Sequence, residues 1–374
     1  MIFDLSFVRS WGLTSAAIEG DIADKSIFPM KLASTATLVP RWVISWYHGW
    51  IHGLVRKCYI VITFEMKKPW LLISLLIVII VVHHLMYRRY CPNNKWFANP
   101  QLENNITVVT AYFNIGEFQK GLSGKYTPDL YVKWMTTFQY LINPLVVYVD
   151  EQKMADIFKD LRKGLKSVTK IIVLDRKYMW SFGLKHRIGQ IFSSKSYPRF
   201  YPNTVVPEYA CANHAKYECL EKAIQEDYFS TAYFSWLDIG YFRDIVSCTK
   251  DFTLVLPDCF DQEKISFTQI YEFTPQINMS DIFLKNRVWV GGGMNLAKKE
   301  VSKEFVRLYR NSVDTLMQKS LMSTDQQVIY SIYSNKGRAI FNPTVEVQPY
   351  RSNDWFYLGF LCHRSYNKSS FRED

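Results

Sequence analysis

Short apolar runs alternate with helical patterns between residues 105 and 238, and this alternation limits the fold more than any other feature. The apolar runs are 105–114 (NITVVTAYFN), 144–150 (PLVVYVD), 170–175 (KIIVLD) and 232–238 (AYFSWLD). Helical spacing is found in 131–140, 154–166 and 208–225. Strands that are apolar on both faces and alternate with helices are typical of a mainly parallel sheet covered on both sides. We therefore expect an α/β domain.

Three of these runs end in a carboxylate, namely Asp150, Asp175 and Asp238. Ligands of such sheets bind at the carboxyl ends of the strands, so we expect the functional site there. Asp238 is a suitable oxygen ligand for Mg²⁺ or Mn²⁺, with substrate phosphates completing the shell. Gly240 would allow a diphosphate to approach the backbone. The alternative is that Asp238 caps a turn.

Residues 69–87 (PWLLISLLIVIIVVHHLMY) predict a membrane span. Basic pairs flank the segment, and Trp70 and Tyr87 stand at its ends as interface residues. The alternatives are a buried core helix or a cleaved signal peptide, although small residues suited to cleavage are absent. We predict a cytoplasmic tail (1–68), a signal-anchor (69–87), a stem (88–104) and a lumenal domain (105–374). Residues 1–65 fit an interfacial helix, a tail of little structure, or an extension upstream of Met66.

The residues after the anchor favour a lumenal location. Three acceptor sequons begin at Asn105, Asn278 and Asn367. Six of the seven cysteines follow the anchor, and this even number fits disulfides in an oxidising compartment, with buried thiols as the alternative. We expect a single-pass type II protein of the Golgi or endoplasmic reticulum membrane. The net charge of +11 is not gathered into a basic block, so we expect no nucleic-acid partner.

Four stretches between about residues 107 and 350 resemble the glycosyltransferases of GT-A type and, more closely, the HtrL/YibB family of glycosyltransferase-like proteins. The first is 108–116 (VVTAYFNIG), and the second joins 207–209 (PEY) with 213–217 (NHAKY). The third is 236–243 (WLDIGYFR), and the fourth joins 291–295 (GGGMN) with 324–327 (TDQQ). The resemblance implies a GT-A-like nucleotide-binding domain.

The resemblance also implies a set of donor-binding residues. These are Thr110, Tyr112, Asn114, Asp238, Gly291, Gly292 and Gly293. Lys216 joins them as a ligand of the donor phosphate if its helix faces the cleft, and the alternative is an ordinary solvated lysine. GT-A enzymes commonly place two carboxylates at the tip of the middle strand, but here Gly240 stands in the second position. The expected metal ligand is therefore Asp238 alone. The glycine triplet is expected to form a loop near donor or acceptor, with a simple tight turn as the alternative.

Asp325 is the candidate catalytic residue. Asp325 precedes a helical pattern, and Ser323 or Thr324 before it can cap that helix. The helix dipole favours an acidic residue in the first turn, and this alone explains an aspartate at position 325. The functional alternative is a general base that takes the proton of an acceptor hydroxyl.

Two hypotheses about function follow from these patterns. The first is a glycosyltransferase that moves a sugar from a nucleotide-sugar donor to a hydroxyl of a glycan or glycoprotein, with Mn²⁺ or Mg²⁺ as cofactor. The second is a non-catalytic, membrane-anchored protein that uses a degenerate GT-A fold for carbohydrate binding or a structural role. The missing second carboxylate favours the second hypothesis, while the glycine triplet and the helix at Asp325 favour the first.

Overall fold

The structure is a computed structural model that describes residues 105–121, 124–247 and 249–365. The predicted tail, signal-anchor and stem, together with the sequon at Asn367, lie outside these residues. Within the described ranges, none of the helices has the length and apolar character that a bilayer crossing requires.

The sheets are built from short strands. In chain order these strands are β1 (Ile106–Tyr112), β2 (Phe118–Lys120), β3 (Gly124–Tyr126), β4 (Leu145–Val149), β5 (Thr169–Val173), β6 (Tyr233–Leu237), β7 (Phe252–Leu254), β8 (Lys264–Gln269), β9 (Val290–Lys298), β10 (Glu346–Arg351) and β11 (His363–Ser365).

Helices occupy much of the remaining chain. They are α1 (Pro128–Met135), α2 (Gln152–Leu161), α3 (Trp180–Gly183), α4 (Lys185–Ser193), α5 (Pro207–Glu226), α6 (Met279–Leu284), α7 (Lys299–Gln318), α8 (Asp325–Tyr333), α9 (Asn335–Phe341) and α10 (Tyr357–Cys362). Short 3₁₀ helices cover Thr136–Gln139, Lys163–Val168, Arg176–Tyr178 and Arg243–Ile245.

The main sheet has seven strands in the order β10-β8-β9-β6-β1-β4-β5. All neighbouring pairs are parallel except those formed by β9, which runs antiparallel to both β6 and β8. The mainly parallel α/β sheet predicted from the sequence is therefore confirmed. Because β9 runs in the opposite direction, its first residues lie at the edge where the other six strands end.

Alternate side chains of the strands enter two separate cores. In β1, Val109 packs among α4, α5, α7 and α8, whereas Val108 packs on the opposite face among α1, α2 and α10. In β4, Val146 and Val147 divide in the same way. Since both faces are covered, the strands are apolar without alternation, which is the pattern the sequence shows.

The prediction that the glycine triplet forms a loop or a tight turn is wrong. Gly291, Gly292 and Gly293 lie inside β9, and Met294 pairs with Leu237 of β6. None of the three has a positive φ. The close approach of the Asp325 and Tyr241 side chains explains the glycines here better than backbone conformation does.

The prediction that the six downstream cysteines are paired is wrong for three of them. Cys211, Cys219 and Cys362 are free thiols buried in the core, where they pack as small apolar side chains. Cys259 is disulfide-bonded. Cys91 and Cys248 lie outside the described residues.

Candidate functional site

A pocket of about 140 Å³ opens at the carboxyl edge of β1 and β6. Ten of its twenty-two lining residues are aromatic: Tyr112, Phe113, Phe118, Tyr126, Tyr131, Trp134, Tyr209, Trp236, Tyr241 and Phe356. The charged groups among its lining residues are Lys120, Lys216, Asp238 and Arg243. The pocket thus combines aromatic surface with three cations and one carboxylate, at the edge where ligands of parallel sheets bind.

Lys216 connects the elements that the sequence singled out separately. It lies on α5, and its Nζ is 3.1 Å from Asp238 Oδ1, 3.2 Å from Asp238 Oδ2 and 3.2 Å from Asp325 Oδ2. The same nitrogen donates a hydrogen bond of 2.8 Å to the carbonyl oxygen of Gly292. The strand tip, the start of α8 and the glycine triplet therefore meet at one ammonium group.

Burial and charge act in opposite directions on this cluster. Burial alone would lower the pKa of Lys216, but the carboxylates of Asp238 and Asp325 outweigh it and raise that pKa above its usual value. Lys216 therefore stays protonated. Burial raises the pKa of Asp325, an effect that Lys216 opposes and Asp238 reinforces. The charge of Lys216 is thus required to compensate the Asp325 carboxylate, which is held away from water.

The two carboxylates differ in access to the pocket. The Asp238 side chain is 39% exposed and faces the pocket, and its Oδ1 accepts a 2.7 Å hydrogen bond from the indole N–H of Trp236. Its backbone N–H also donates to Gly293 across the β6–β9 pair, at 2.8 Å. Asp325 is only 1% exposed and is not among the lining residues. The predicted general base therefore has no open face toward this pocket.

Asp325 stands at the first position of α8, as the sequence predicted. Thr324 occupies the N-cap position with extended backbone, but its hydroxyl bonds to the Gln327 side chain at 2.7 Å instead of capping the helix. The favourable placement of an acidic residue in a first turn applies here. Asp325 also forms an ion pair with Lys216, which the local sequence does not reveal.

Two glycines of the triplet are fitted to neighbouring side chains. A β-carbon on Gly292 would overlap the Asp325 carboxylate, lying 2.8 Å from its Cγ. A β-carbon on Gly293 would lie 3.0 Å from the ring of Tyr241. On Gly291 it would meet only ordinary contacts at 3.5 Å. Gly292 therefore leaves room for the Asp325 carboxylate, and Gly293 leaves room for the Tyr241 ring.

Gly240 has a packing role different from the one expected. A β-carbon there would lie 2.7 Å from the indole of Trp134. The absence of a side chain thus lets Trp134 cover the strand end and form part of the pocket wall.

The three predicted donor-binding residues of β1 and its following turn have different environments. Tyr112 lines the pocket, and burial, followed by the charge of Asp150, raises its pKa to about 12, so its hydroxyl stays protonated. Thr110 does not reach the pocket, because it is fully buried and donates to the Leu237 carbonyl at 2.6 Å. Asn114 is not among the lining residues.

Asn114 instead belongs to a neighbouring polar cluster. Its backbone N–H donates to both oxygens of Asp150, at 3.1 and 3.0 Å, and its amide donates to Glu151 at 2.8 Å. Asp150 also forms an ion pair with Arg176 at 3.1 Å. Asp175 caps the next short 3₁₀ helix by accepting from the Lys177 N–H. These two strand-end carboxylates therefore stabilise turns outside the pocket.

Sequence reasoning missed two cations of the pocket, Lys120 and Arg243. Lys120 ends β2 in a short hairpin, and Arg243 follows the Asp238 turn. The only local signal was the position of Arg243 within the stretch 236–243. Lys120 carries none, since a lysine in a short hairpin is ordinarily a solvated surface residue.

The surroundings of Asp238 do not fit a divalent cation. Both of its carboxylate oxygens contact the Lys216 ammonium, and Oδ1 also accepts from Trp236. The position of a second carboxylate is taken by Gly240, which packs on Trp134. Across the described ranges, His, Cys, Asp and Glu side chains do not gather in any group of three or more that could hold a metal ion.

The two described sequons differ in exposure. Asn278 is exposed at the N-cap of α6, where its Oδ1 accepts from the Ser280 N–H. Asn105 is half-buried, and its Oδ1 accepts from the Ala232 N–H at 2.7 Å.

Comparison with known proteins identifies relatives of this chain. The model of the family described as "Bacterial protein of unknown function (HtrL_YibB)" matches residues 104–365. Protein HtrL of Escherichia coli (strain K12) is 25% identical over 284 residues, covering 71% of this chain and 94% of HtrL.

Among solved structures, core-mannan synthase A from Aspergillus fumigatus, in an Mn/GDP form, aligns with 70% of this chain and 75% of its own. The TM-score is 0.37 and the identity is 10%. A likeness of this degree decides neither the fold nor the function.

Proposed function

Since this chain belongs to the HtrL_YibB family, whose function is open, we propose from its pocket that it is a glycosyltransferase using a nucleotide-sugar donor. The observation that carries the proposal is the joining of an aromatic wall, basic side chains and the Asp238 carboxylate at the carboxyl edge of a mainly parallel sheet. Aromatic rings bind the faces of bases and sugars, and basic side chains bind phosphate. A nucleotide-sugar needs both.

In this reaction the bond between the sugar C1 and the phosphate oxygen breaks as the acceptor oxygen bonds to C1. The diphosphate leaves with the bonding electrons, so cations beside it stabilise the charge that develops. The acceptor hydroxyl loses its proton to a base. Of the pocket-lining residues, Asp238 alone carries a carboxylate, so we assign it to hydroxyl binding and to this proton.

Asp325 then acts through Lys216 instead of touching the substrate. Its buried carboxylate holds the ammonium from one side while Asp238 and the Gly292 carbonyl hold it from others. Lys216 in turn fixes the direction of the Asp238 carboxylate. Tyr112 supplies a protonated hydroxyl to the pocket wall. We propose that the acceptor is a glycan or glycoprotein hydroxyl in the Golgi or endoplasmic reticulum, with the chain anchored as a type II protein.

One observation favours a second function, a non-catalytic carbohydrate-binding protein. Lys216 already contacts both oxygens of the Asp238 carboxylate, so they are occupied before an acceptor hydroxyl binds. The aromatic wall would serve binding of sugar faces equally well.

Binding and turnover of nucleotide-sugars by the full-length chain test the proposal. UDP-sugars and GDP-sugars are titrated by calorimetry, and sugar release or transfer is followed by mass spectrometry. We expect at least one donor to bind and turn over, and Asp238→Asn to lower turnover at least a hundredfold. Asp244→Asn is the matched control, because Asp244 is exposed and not among the lining residues. A folded chain that binds glycans but none of these donors would support the second function instead.

A further inference from the structure

The Lys216 cluster supplies no surplus of positive charge for a phosphate. One ammonium faces two carboxylates. It donates hydrogen bonds to Asp238 Oδ2 and to the Gly292 carbonyl, and it forms an ion pair with Asp325 Oδ2. These contacts of 2.8–3.2 Å surround the ammonium with groups that already offset its single positive charge. A diphosphate in the pocket must therefore find its positive charge elsewhere.

The same cluster leaves no free ligands for a divalent cation. Magnesium requires oxygens at about 2.1 Å in an octahedral arrangement, and they must be free of other strong partners. The oxygens of Asp238 converge instead on an ammonium that lies between them and Asp325. The ammonium therefore lies where a cation bound by these carboxylates would lie, and displacing it would leave a buried lysine without partners.

Lys120 and Arg243 are the two pocket cations with no carboxylate partner among the described residues. The Nζ of Lys120 lies 5.1 Å from the ring centre of Tyr126 and 5.9 Å from that of Tyr209. Arg243 lies over Phe356, at 4.4 Å, and over Trp134, at 5.8 Å. Aromatic faces hold these cations in place without cancelling their charge as a carboxylate would.

The two cations border one continuous aromatic surface. Tyr126, beneath Lys120, is 5.5 Å from Trp134, beneath Arg243, measured between ring centres. Both cations line the pocket that Asp238 also faces. Arg243 keeps donors for a ligand, because within the part of the chain that the structure describes its guanidinium makes one hydrogen bond, from Nη1 to the Gly240 carbonyl at 3.3 Å.

We propose that Lys120 and Arg243 together bind the diphosphate of the ligand without a divalent cation, and that Lys216 serves to hold Asp238 in place. This inference rests on the proposed function for its ligand, a nucleoside diphosphate carrying a sugar. The diphosphate lies against the aromatic surface between the two cations. Asp238, held in place by Lys216, faces the acceptor hydroxyl.

The test is equilibrium binding to the full-length chain, with inorganic pyrophosphate, UDP and GDP as separate probes. Each titration is made in EDTA and again in Mn²⁺ at equal ionic strength. We expect the dissociation constants in the two conditions to agree within twofold. Lys120→Gln and Arg243→Gln should each weaken binding at least tenfold. Lys125→Gln is the control, since Lys125 is an exposed lysine of the same hairpin, paired with Glu117 and not among the lining residues.

The outcomes separate this inference from the proposed function. Nucleotide binding that appears in Mn²⁺ and vanishes in EDTA would overturn the inference and leave the glycosyltransferase proposal standing. Equal affinity of all three variants would also overturn it. Pyrophosphate binding that depends on both cations, without UDP or GDP binding, would support the diphosphate site and count against a UDP or GDP donor. No binding of any probe in either condition would remove the basis of both.

Discussion

Replacing Gly292 by alanine should destabilise the protein because the new β-carbon overlaps the Asp325 carboxylate. It would lie 2.8 Å from both Cγ and Oδ1 of Asp325, and closer still to Oδ2. Carbon atoms in contact normally lie about 3.5–4.0 Å apart, so the carboxylate must move by about 1 Å. Asp325 is 1% exposed and starts α8, so it has little room to move.

The expected cost has two parts. Overpacking a buried site costs about 1–3 kcal/mol, and breaking one contact of a buried ion pair adds to it, because Oδ2 is 3.2 Å from Lys216 before the change. Replacing glycine by alanine also lowers the entropy of the unfolded chain, which stabilises by about 0.4–1 kcal/mol where the site tolerates alanine. We therefore expect a net loss of about 3 kcal/mol in the free energy of unfolding.

Urea denaturation of the full-length chain, followed by tryptophan fluorescence, measures this loss. Gly291→Ala is the matched control, because its β-carbon meets Ile270 and Trp355 at an ordinary 3.5 Å. Its effect should stay within about 0.5 kcal/mol, in line with tolerated substitutions. The double variant Gly292→Ala with Asp325→Ala removes the overlapping group and isolates its contribution.

The overlap between the new β-carbon and the Asp325 carboxylate also predicts the stability of the double variant. In the Asp325→Ala background, adding Gly292→Ala should cost less than about 1 kcal/mol, since the carboxylate is gone. If Gly292→Ala and Gly291→Ala are equally stable, Gly292 is not reserved for the carboxylate. If the cost persists without Asp325, its cause lies in the β9 backbone, and overlap with the carboxylate is not the reason for glycine at position 292.

Three further results are expected. His214 is buried, and burial together with the charge of Lys216 lowers its pKa to about 3. Below pH 6.5 this histidine is therefore protonated in the unfolded state but stays neutral in the folded state. Between pH 8 and pH 5 this group should remove about 2 kcal/mol of stability, and His214→Gln should flatten the pH profile by that amount; an unchanged profile would contradict it. Arg162→Met removes the buried hydrogen-bond donor of three backbone carbonyls and should lower the free energy of unfolding, measured by urea denaturation, by about 3 kcal/mol. Arg307→Met, at an exposed arginine, should lower it by less than about 1 kcal/mol. In a secretory host, glycosidase should increase gel mobility, and Asn278→Gln should reduce the shift; no shift beside a working control sequon argues against a lumenal domain.

The sequence predicted the main elements of the sheet because their signals are local. An unbroken apolar run such as 144–150 indicates a strand buried on both faces, whatever the rest of the chain does. Strand β4 was found there, as were β1, β5 and β6 at their predicted places. The carboxylate at the tip of β6 was equally readable, since Asp238 directly follows the apolar run.

The glycine triplet was misread because its signal is local but its cause is not. Three successive glycines favour a turn in any short-range reading. Here they lie in β9, and Gly292 is suited to its position by Asp325, which is 33 positions later in the chain. Only the packing of α8 against β9 brings that carboxylate near.

The direction of a side chain on a helix is decided in the same way. Lys216 lies on a twenty-residue helix, and the sequence alone left it as either a solvated lysine or a phosphate ligand. The rotation of α5 against the sheet turns Lys216 inward, because ten other residues of that helix are buried and its apolar side chains pack in the core. Its partners Asp238 and Asp325 come from distant segments.

By itself, then, the sequence determined the class of fold, the family and the strand tip at which Asp238 stands, because each depends on residues near one another in the chain. The tertiary structure alone decided that Asp325 is buried, that Thr110 is excluded from the pocket, and that Lys120 and Arg243 border it. Those outcomes depend on which distant segments meet. Contacts between segments far apart in the chain have no local pattern from which they could be predicted.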